Sequence, residues 1–454
     1  MKHLIFFLLF TTTQLLIADE NNSSIPKTAA LWTVSSQAYP EYNISQVEYT
    51  KQLRHLTQAE FWIDKLEHPH RLLLSTDEIE RLNTQTAQKE LIFPAKDFKR
   101  TYEGRWVEDK IMELYTFLYE GAYFHEDGSV LQPNFMQEIL TYMNIAEIPS
   151  HVTTRYAITV DYTLQRVTPT DITILKRPEQ IYFDRNQNAA LDIGTPLALV
   201  YQTKDKKWYF AISESSYGWV KSEDIALATR QEMLNFAYSE NFIITINPKN
   251  SIYLHDKYYN FVRMGVRLPH KTTHESREEI VIPRRDADGK LRLHTATIKR
   301  SDVHIGYMSY TQKNIIEQAF KSLNAPYGWG GMFGEQDCSK FIQTIYATMG
   351  IILPRNSGDQ SKVGDYTIKF QSNHQERVQT LVTQAKPAQT LLYLPGHITL
   401  YLGTHQNIPY MIHAVWGERN GKNPMAKTAV TSVYFKKYLD TMYSMLILSK
   451  FKGK

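Results

Sequence analysis

The most constraining feature of this sequence is a glycine- and aromatic-rich stretch that leads into its single cysteine. In a chain of 454 residues, the stretch reads PYGWGGMFGEQDCSKF over residues 326–341 and places the cysteine at position 338. From Cys338 onward, apolar residues recur at helical spacing until Gly350, which predicts a helix that begins at the cysteine. Asp337 is then the predicted N-cap of this helix.

The position of Cys338 predicts a nucleophile. A thiol in the first turn of a helix faces unpaired backbone N–H groups and the positive end of the helix dipole, which favours the thiolate. The alternative is a small buried apolar side chain, which is a common fate of a lone cysteine. A glycine-rich loop that runs into a helix N-terminus favours the nucleophile over this alternative.

Composition and charge limit the function classes. The length predicts roughly three or four domains, and a hydrophobic content of 43% is ample for their cores. The formal net charge of +4 is spread along the chain and not clustered. This pattern indicates a general attraction to polyanions, such as an anionic cell wall, and argues against a nucleic-acid groove.

The first residues have the pattern of a signal peptide over residues 1–18. A short basic start precedes an apolar run, which is interrupted by residues 11–14 and is shorter than the ~20 residues that a membrane span needs. With cleavage near Ala18, the chain is expected to be exported, most simply to the periplasm, with secretion or wall association as alternatives. In an oxidising compartment, a cysteine without an intrachain partner indicates a reactive thiol.

The remaining chain divides into four predicted regions. Residues 19–150 have a helical, aromatic-rich pattern without catalytic spacing and are expected to pack on later domains. Residues 151–230 predict a small β-barrel from short alternating runs, and residues 231–305 predict a second one. Residues 306–454 place helices before an antiparallel sheet, which predicts an α+β domain, with a polar connection over about 371–383.

Two histidines on predicted strands are candidates for a catalytic pair. His397 follows a Pro-Gly turn and alternates with apolar residues, so its side chain faces away from the apolar face of its strand. A base must lie within hydrogen-bond reach of the thiol, and His413 on the next strand could hold the second ring nitrogen. Because the chain has 15 histidines, spacing alone does not separate this pair from structural histidines.

Several segments together resemble the NlpC family of papain-like cell-wall cysteine peptidases, over about residues 310–450. The matching segments are YGWGG at 327–331, DCS at 337–339, LPRNS at 353–357, GHITLYLG at 396–403 and MIHA at 411–414. Upstream, LQRVTPT at 164–170 and YGWV at 217–220 resemble the first bacterial SH3 module of a multidomain branch of that family. The second barrel and the helical N-terminal region fit the same layout.

This resemblance implies a fold and a set of site residues. The fold is a papain-like C-terminal domain preceded by two SH3-like barrels and a helical segment. The implied catalytic residues are Cys338 as nucleophile, His397 as base and His413 as the orienting group, and the implied substrate-binding residues are Tyr327, Asp337 and Ser339. The sequence departs from the family at Lys340, where a glycine usually follows the Cys-Ser pair.

The resemblance also implies the substrate. We expect an exported cysteine endopeptidase that hydrolyses the γ-D-glutamyl–diamino acid bond of peptidoglycan stem peptides, with a preference for stems that carry a free N-terminal L-Ala. No metal is expected, because the sequence has no Cys/His ligand cluster. We also expect no cofactor, no nucleic-acid partner and no stable membrane insertion after the signal peptide is cleaved. The alternatives are another Cys–His amidase or acyltransferase, and a non-catalytic scaffold that binds the wall through its SH3-like modules.

Overall fold

The structure is a computed structural model that describes residues 54–119, 121–371, 373–417 and 424–449. The predicted signal peptide over 1–18 lies outside the described residues. None of the helices in these ranges combines the length and apolar character that crossing a bilayer requires.

The N-terminal region is mainly helical. Its helices are α1 (Ala59–Ile63), α2 (Thr76–Gln88), α3 (Gly104–Tyr119) and α4 (Phe135–Met143). Helix α2 begins at a capping box in which Ser75 and Glu78 satisfy each other's backbone N–H groups. A two-stranded ladder of β1 (Thr101–Glu103) and β2 (His151–Thr153) connects this region to the next one.

A seven-stranded antiparallel sheet, here called the first β-module, follows in the order β5-β4-β8-β7-β6-β3-β9. The runs predicted from alternation lie within β6, β7 and β8, where Phe210 and Trp219 are fully buried. The strands are β3 (Arg155–Thr159), β4 (Thr163–Arg166), β5 (Gln187–Leu191), β6 (Pro196–Gln202), β7 (Trp208–Ile212), β8 (Tyr217–Lys221) and β9 (Ile225–Ala228).

Helix α5 (Arg230–Ala237) leads into a second seven-stranded sheet, the second β-module, in the order β12-β11-β15-β14-β13-β10-β16. Phe210 of the first module and Ile280 of the second lie in one hydrophobic core, so the two modules pack together. The strands are β10 (Phe242–Thr245), β11 (Lys249–Leu254), β12 (Lys257–Arg263), β13 (Arg267–Thr273), β14 (Arg277–Arg285), β15 (Leu291–Lys299) and β16 (Val303–Ile305).

The C-terminal region is α+β, with a six-stranded sheet in the order β17-β22-β18-β19-β20-β21. Its helices are α6 (Gln312–Lys321), α7 (Cys338–Ala347), α8 (Ser357–Gln360), α9 (His374–Gln384) and α10 (Tyr438–Thr441). Its strands are β17 (Thr367–Lys369), β18 (Thr390–Leu394), β19 (His397–His405), β20 (Ile408–Gly417), β21 (Pro424–Ser432) and β22 (Ser444–Ile447).

Both faces of this sheet are covered. Ile398 and Leu400 pack with α6 and α7 on one face, whereas Tyr401 packs with Leu381 of α9 on the other. The polar connection predicted over residues 371–383 contains a helix that the sequence analysis did not identify, α9. Helix α9 is polar over most of its surface, and Leu381 is its buried residue, so its apolar periodicity is weak.

The N-terminal helices pack against later regions, as their aromatic content predicts. Trp62 and Leu82 belong to the core of the C-terminal region, whereas Ile111 and Tyr115 of α3 belong to the core that the two β-modules share. The N-terminal region thus contacts both cores and helps to fix the C-terminal region relative to the β-modules.

Candidate active site

Helix α7 begins at Cys338, as the sequence predicts. Asp337 caps it by accepting a 2.9 Å hydrogen bond from the Lys340 backbone N–H, and the Cys338 side chain is buried. The preceding loop requires glycine because the first β-module approaches it closely. Gly331 has φ of +92°, and a Cβ there would lie only 2.6 Å from Cβ of Ala190 in β5.

Asp337 also forms a buried ion pair with Arg355. The Arg355 guanidinium donates to both carboxylate oxygens, at 3.2 Å and 2.5 Å. Gly330 N–H and the Ser339 hydroxyl donate to the same carboxylate at 3.1 Å each. Burial alone would raise the pKa of Asp337, but Arg355 and these hydrogen bonds hold it below its usual range. Asp337 is therefore ionised, and both of its oxygens are engaged within the chain.

The two predicted histidines meet on neighbouring strands. His397 begins β19 and His413 lies in β20, with 2.7 Å between His397 Nε2 and His413 Nδ1. His413 Nε2 lies 2.9 Å from the hydroxyl of Thr431 in β21. When His413 donates to Thr431, its Nδ1 accepts from His397 Nε2–H, and Nδ1 of His397 remains unprotonated. This tautomer makes His397 Nδ1 the nitrogen that can take a proton.

The tertiary structure brings the Cys338 thiol to the end of β19 that carries His397. The backbone of Ile398, next to His397, lies close enough to Cys338 to lower the pKa of its thiol. Burial and the charge of Asp337 act more strongly in the opposite direction and raise the pKa of Cys338 to about 12. Burial also lowers the pKa of His397 to about 4.

Desolvation disfavours the thiolate and the imidazolium alike and so opposes the effect expected of the helix N-terminus. These two pKa shifts favour a neutral thiol and a neutral imidazole before the reaction begins.

Aromatic side chains surround this pair. The Tyr438 ring centroid lies 5.3 Å from that of His397 and 5.7 Å from that of His413. Tyr327 packs near Trp416, with 5.8 Å between ring centroids. Burial raises the pKa of Tyr327, and the nearby thiol and Asp337 carboxylate add to the effect. Tyr327 thus lies beside the nucleophile as a protonated hydroxyl.

The first β-module forms one wall of the site. Phe183 packs edge-on against Trp416 at 4.9 Å and against Trp329 at 5.3 Å between ring centroids. Trp329 Nε1 donates to the Asp184 carbonyl at 3.0 Å. These contacts join the glycine-rich loop, the end of β20 and the first module into a continuous aromatic surface.

All six predicted site residues thus lie in one region, although Ser339 is directed inward. Its hydroxyl donates to Asp337 and accepts from Arg355 at 2.8 Å. Sequence reasoning assigned no role to Arg355, Thr431 or Tyr438. Arg355 was within a segment that carried the resemblance, but its partner became apparent only from the fold. Among the described residues, no group of three or more His, Cys, Asp or Glu side chains is arranged to hold a metal.

Two family models match the chain. One, described as the NlpC/P60 family, matches residues 324–440, which include all six predicted site residues. The other, described as an SH3 domain of the SH3b1 type, matches residues 174–221 within the first β-module.

Two relatives of known name are also similar to this chain in sequence. A γ-D-glutamyl-L-lysine dipeptidyl-peptidase from Bacillus cereus is 26% identical over 213 residues, which cover 46% of this chain and 59% of the relative. The peptidoglycan endopeptidase RipB from Mycobacterium tuberculosis is 29% identical over 109 residues, covering 20% of this chain and 40% of RipB. The chain thus matches less than two thirds of the length of either relative.

Structural comparison covers more of the molecule. An NlpC/P60 endopeptidase from Photobacterium damselae subsp. piscicida superposes with a TM-score of 0.71 and 20% identity, covering 87% of this chain and 97% of that one. At this identity the similarity concerns the fold. The chain is thus similar to the NlpC/P60 family over residues 324–440 and to an SH3 domain of the SH3b1 type over residues 174–221, which precede them.

Proposed function

We propose that this protein is a peptidoglycan hydrolase of the cysteine peptidase type. The observation that carries the proposal is the hydrogen-bonded His397–His413 pair at the end of β19 where Cys338 opens its helix. Two relatives whose names describe action on peptidoglycan or on γ-D-glutamyl-L-lysine support the substrate class. The peptidoglycan of the cell wall lies outside the membrane, so the proposed location is extracellular or wall-associated.

The proposed reaction uses the neutral Cys338–His397 pair. The Cys338 thiol transfers its proton to His397 Nδ1 as the sulfur attacks the carbonyl carbon of the scissile amide. The oxyanion is stabilised by the Cys338 backbone N–H, since the first N–H groups of a helix have no partner within the helix. His397 then protonates the departing amine, which breaks the C–N bond and leaves a thioester on Cys338.

Hydrolysis of the thioester restores the enzyme. His397 takes a proton from water, whose oxygen attacks the thioester carbonyl, and the C–S bond breaks. The acid product leaves, and the proton returns from His397 to the sulfur. His413 and Thr431 hold the His397 ring in the tautomer that both half-reactions need.

The proposed scissile bond is the γ-D-glutamyl–diamino acid bond of the stem peptide. Support comes from the similarity to a γ-D-glutamyl-L-lysine dipeptidyl-peptidase, and the aromatic side chains of the first β-module bound the site beside Tyr327. A preference for a free N-terminal L-Ala is part of the proposal. Because Arg355 already neutralises Asp337, selection of the ammonium group requires hydrogen-bond acceptors in addition to the Asp337 carboxylate.

The test is mass spectrometry of products from a defined tripeptide, L-Ala-γ-D-Glu-diamino acid, and from its N-acetylmuramoyl-linked counterpart. We expect L-Ala-D-Glu and the free diamino acid from the first substrate and slower cleavage of the second. Cys338→Ala is expected to abolish turnover while its thermal melt stays close to that of the wild type. Hydrolysis that persists in Cys338→Ala would exclude the mechanism, and equal rates on the two substrates would exclude the L-Ala preference.

A further inference from the structure

A cavity of about 210 Å³ lies where the two β-modules meet the C-terminal region, on the side of α7 that faces away from the sheet. Helix α7 contributes Lys340, Gln343 and Ala347 to its wall, spaced three and four residues apart. The residues of α7 that pack with the sheet, such as Phe341 and Ile345, lie on the other side of the helix. The cavity is therefore distinct from the cleft at Cys338.

The charged groups around this cavity do not balance. Asp192 is paired with Arg263, with 2.7 Å between the closest oxygen and nitrogen, and Arg355 is paired with Asp337. Glu214 accepts hydrogen bonds from the Tyr238 hydroxyl and the Ala95 N–H. The groups that line the cavity, together with their ion-pair partners, comprise four cations and three carboxylates: Lys340, Arg355, Arg263 and Arg267 against Asp192, Asp337 and Glu214.

Lys340 and Arg267 are the two of these cations that form no ion pair with a described residue. Lys340 Nζ donates at 3.1 Å to Gln343 Oε1, a neutral group. Arg267 donates to the Ser239 carbonyl and stacks on Phe242, and its buried Nε has no hydrogen-bond partner within the described residues. A buried cation without a counter-ion is unfavourable, and an anion beside it relieves this cost.

The rest of the wall sets the shape and polarity of a ligand. Apolar side chains line much of the cavity, among them Ile193, Ile244, Met264 and Ile351. The volume is sufficient for a benzene-sized ring, since a wholly apolar cavity of about 150 Å³ accepts one. One surplus positive charge matches a monoanion, whereas a dianion such as phosphate would reverse the imbalance.

We propose that this cavity is a binding site for a small monocarboxylate with an apolar body, held by Lys340 and Arg267. The carboxylate lies against Lys340 Nζ, and the apolar part fills the space beside Met264. Because Lys340 is two residues from Cys338 and the cavity also contacts Arg355, an occupant would connect the β-modules to the helix that carries the nucleophile. This site does not depend on the reaction proposed above.

Benzoate is a suitable probe, with benzamide as a neutral control of nearly the same shape. Binding to the full chain is measured at pH 6 and constant ionic strength by calorimetry and by NMR of [¹³C]methyl-methionine, with the Met264 resonance assigned through Met264→Leu. We expect saturable binding of benzoate with a shift of the Met264 resonance, and benzamide binding at least about 10-fold weaker. Equal affinities, absence of saturation, or saturation that leaves Met264 unchanged would overturn the proposal.

Variants locate the charge that binds the carboxylate. Lys340→Met is expected to weaken benzoate binding about 10-fold or more, whereas Lys362→Met, an exposed lysine paired with Asp359, is expected to leave it unchanged. Undiminished binding in Lys340→Met would overturn the proposal.

A pH series on the wild type needs no variant. Burial, with Arg263 and Arg355 acting in the same direction, lowers the pKa of Lys340 to about 7. Benzoate affinity is therefore expected to fall about 10-fold or more between pH 6 and pH 9 as Lys340 loses its proton. The other ionisable groups that face this site are Asp192, Glu214, Tyr238, Arg263, Arg267, Tyr307, Asp337 and Arg355. A constant affinity over this range would contradict the role of Lys340.

Discussion

His397 Nε2 and His413 Nδ1 lie 2.7 Å apart on neighbouring strands, and Thr431 on the third strand extends the chain of hydrogen bonds. His413 is fully buried, so its imidazole has a fixed position and a fixed neighbour. The orientation of His397 is thus set by three adjacent strands of the sheet.

This arrangement predicts graded effects of substitution. His397→Ala is expected to reduce kcat/KM nearly as much as loss of the nucleophile, because it removes the base. His413→Ala should leave a residual rate, about 10²–10⁴-fold below that of the wild type, because His413 acts only through His397. Thr431→Val is expected to cost less still. Steady-state rates on the tripeptide check this order, and a larger loss for Thr431→Val than for His413→Ala would contradict it.

The lowered pKa of the half-buried His397 predicts that the pH–rate profile loses activity only at unusually low pH. Its pKa of about 4 lies below the ordinary value of 6.5, so the base stays unprotonated well below pH 6. The profile of kcat/KM should therefore fall only near pH 4 to 5. A half-maximal rate near pH 6.5 would show that His397 is solvated in the working enzyme.

The same shift predicts loss of stability in acid. A histidine whose pKa is lowered by folding binds fewer protons in the folded state than in the unfolded state. Its contribution to stability is complete above about pH 6.5 and is lost as the pH falls towards 4. The free energy of unfolding, measured with urea at each pH, should decrease less over this range for His397→Ala than for the wild type. An identical pH dependence in the two proteins would contradict the assignment.

The Asp337–Arg355 ion pair predicts a large loss of stability when one partner is removed. Asp337→Asn leaves the Arg355 guanidinium buried without a counter-charge, which costs about 3–5 kcal/mol in the free energy of unfolding. The control is Asp359→Asn, whose partner Lys362 is exposed and whose loss should cost less than about 1 kcal/mol. If Asp337→Asn and Asp359→Asn lowered the free energy of unfolding equally in denaturant experiments, the Asp337–Arg355 pair would be solvated.

The contact between the glycine-rich loop and the first β-module can be tested at Gly331. Gly331→Ala combines a positive φ with a Cβ only 2.6 Å from Ala190, whereas Gly306→Ala has a similar positive φ but open space around the added atom. Both variants should lose about 1–2 kcal/mol through backbone strain. The additional steric cost at Gly331 should be about 1–3 kcal/mol, measured as the difference between the two unfolding free energies.

The lowered pKa of Lys340 predicts that the protein becomes more stable as the pH rises. Because folding lowers its pKa from 10.5 to about 7, the unfolded state binds more protons between these values, and stability from this group rises with pH. Lys340→Met removes the cost of the buried charge and should raise the melting temperature at pH 6 more than at pH 10. A uniform change at both pH values would mean that Lys340 is solvated.

The local sequence pattern was sufficient to predict much of the secondary structure of this protein. The apolar spacing after Cys338 and the Asp337 cap depend on contacts within a few residues, and the alternation in β19 and β20 depends on strand geometry alone. The sequence therefore predicted helix α7, the strands that carry both histidines, and the α+β class of the C-terminal region. It also predicted two small β-modules before that region.

Only the tertiary structure decided the electrostatics of the site. The partner of Asp337 is Arg355, 18 residues away, and the need for Gly331 arises from Ala190 in another module. Helix α9 buries its stripe against a sheet face that no local pattern specifies. The desolvation that raises the pKa of Cys338 also depends on the tertiary structure, because it sums over every element packed around the thiol, whereas the effect of the helix N-terminus is a single local contribution.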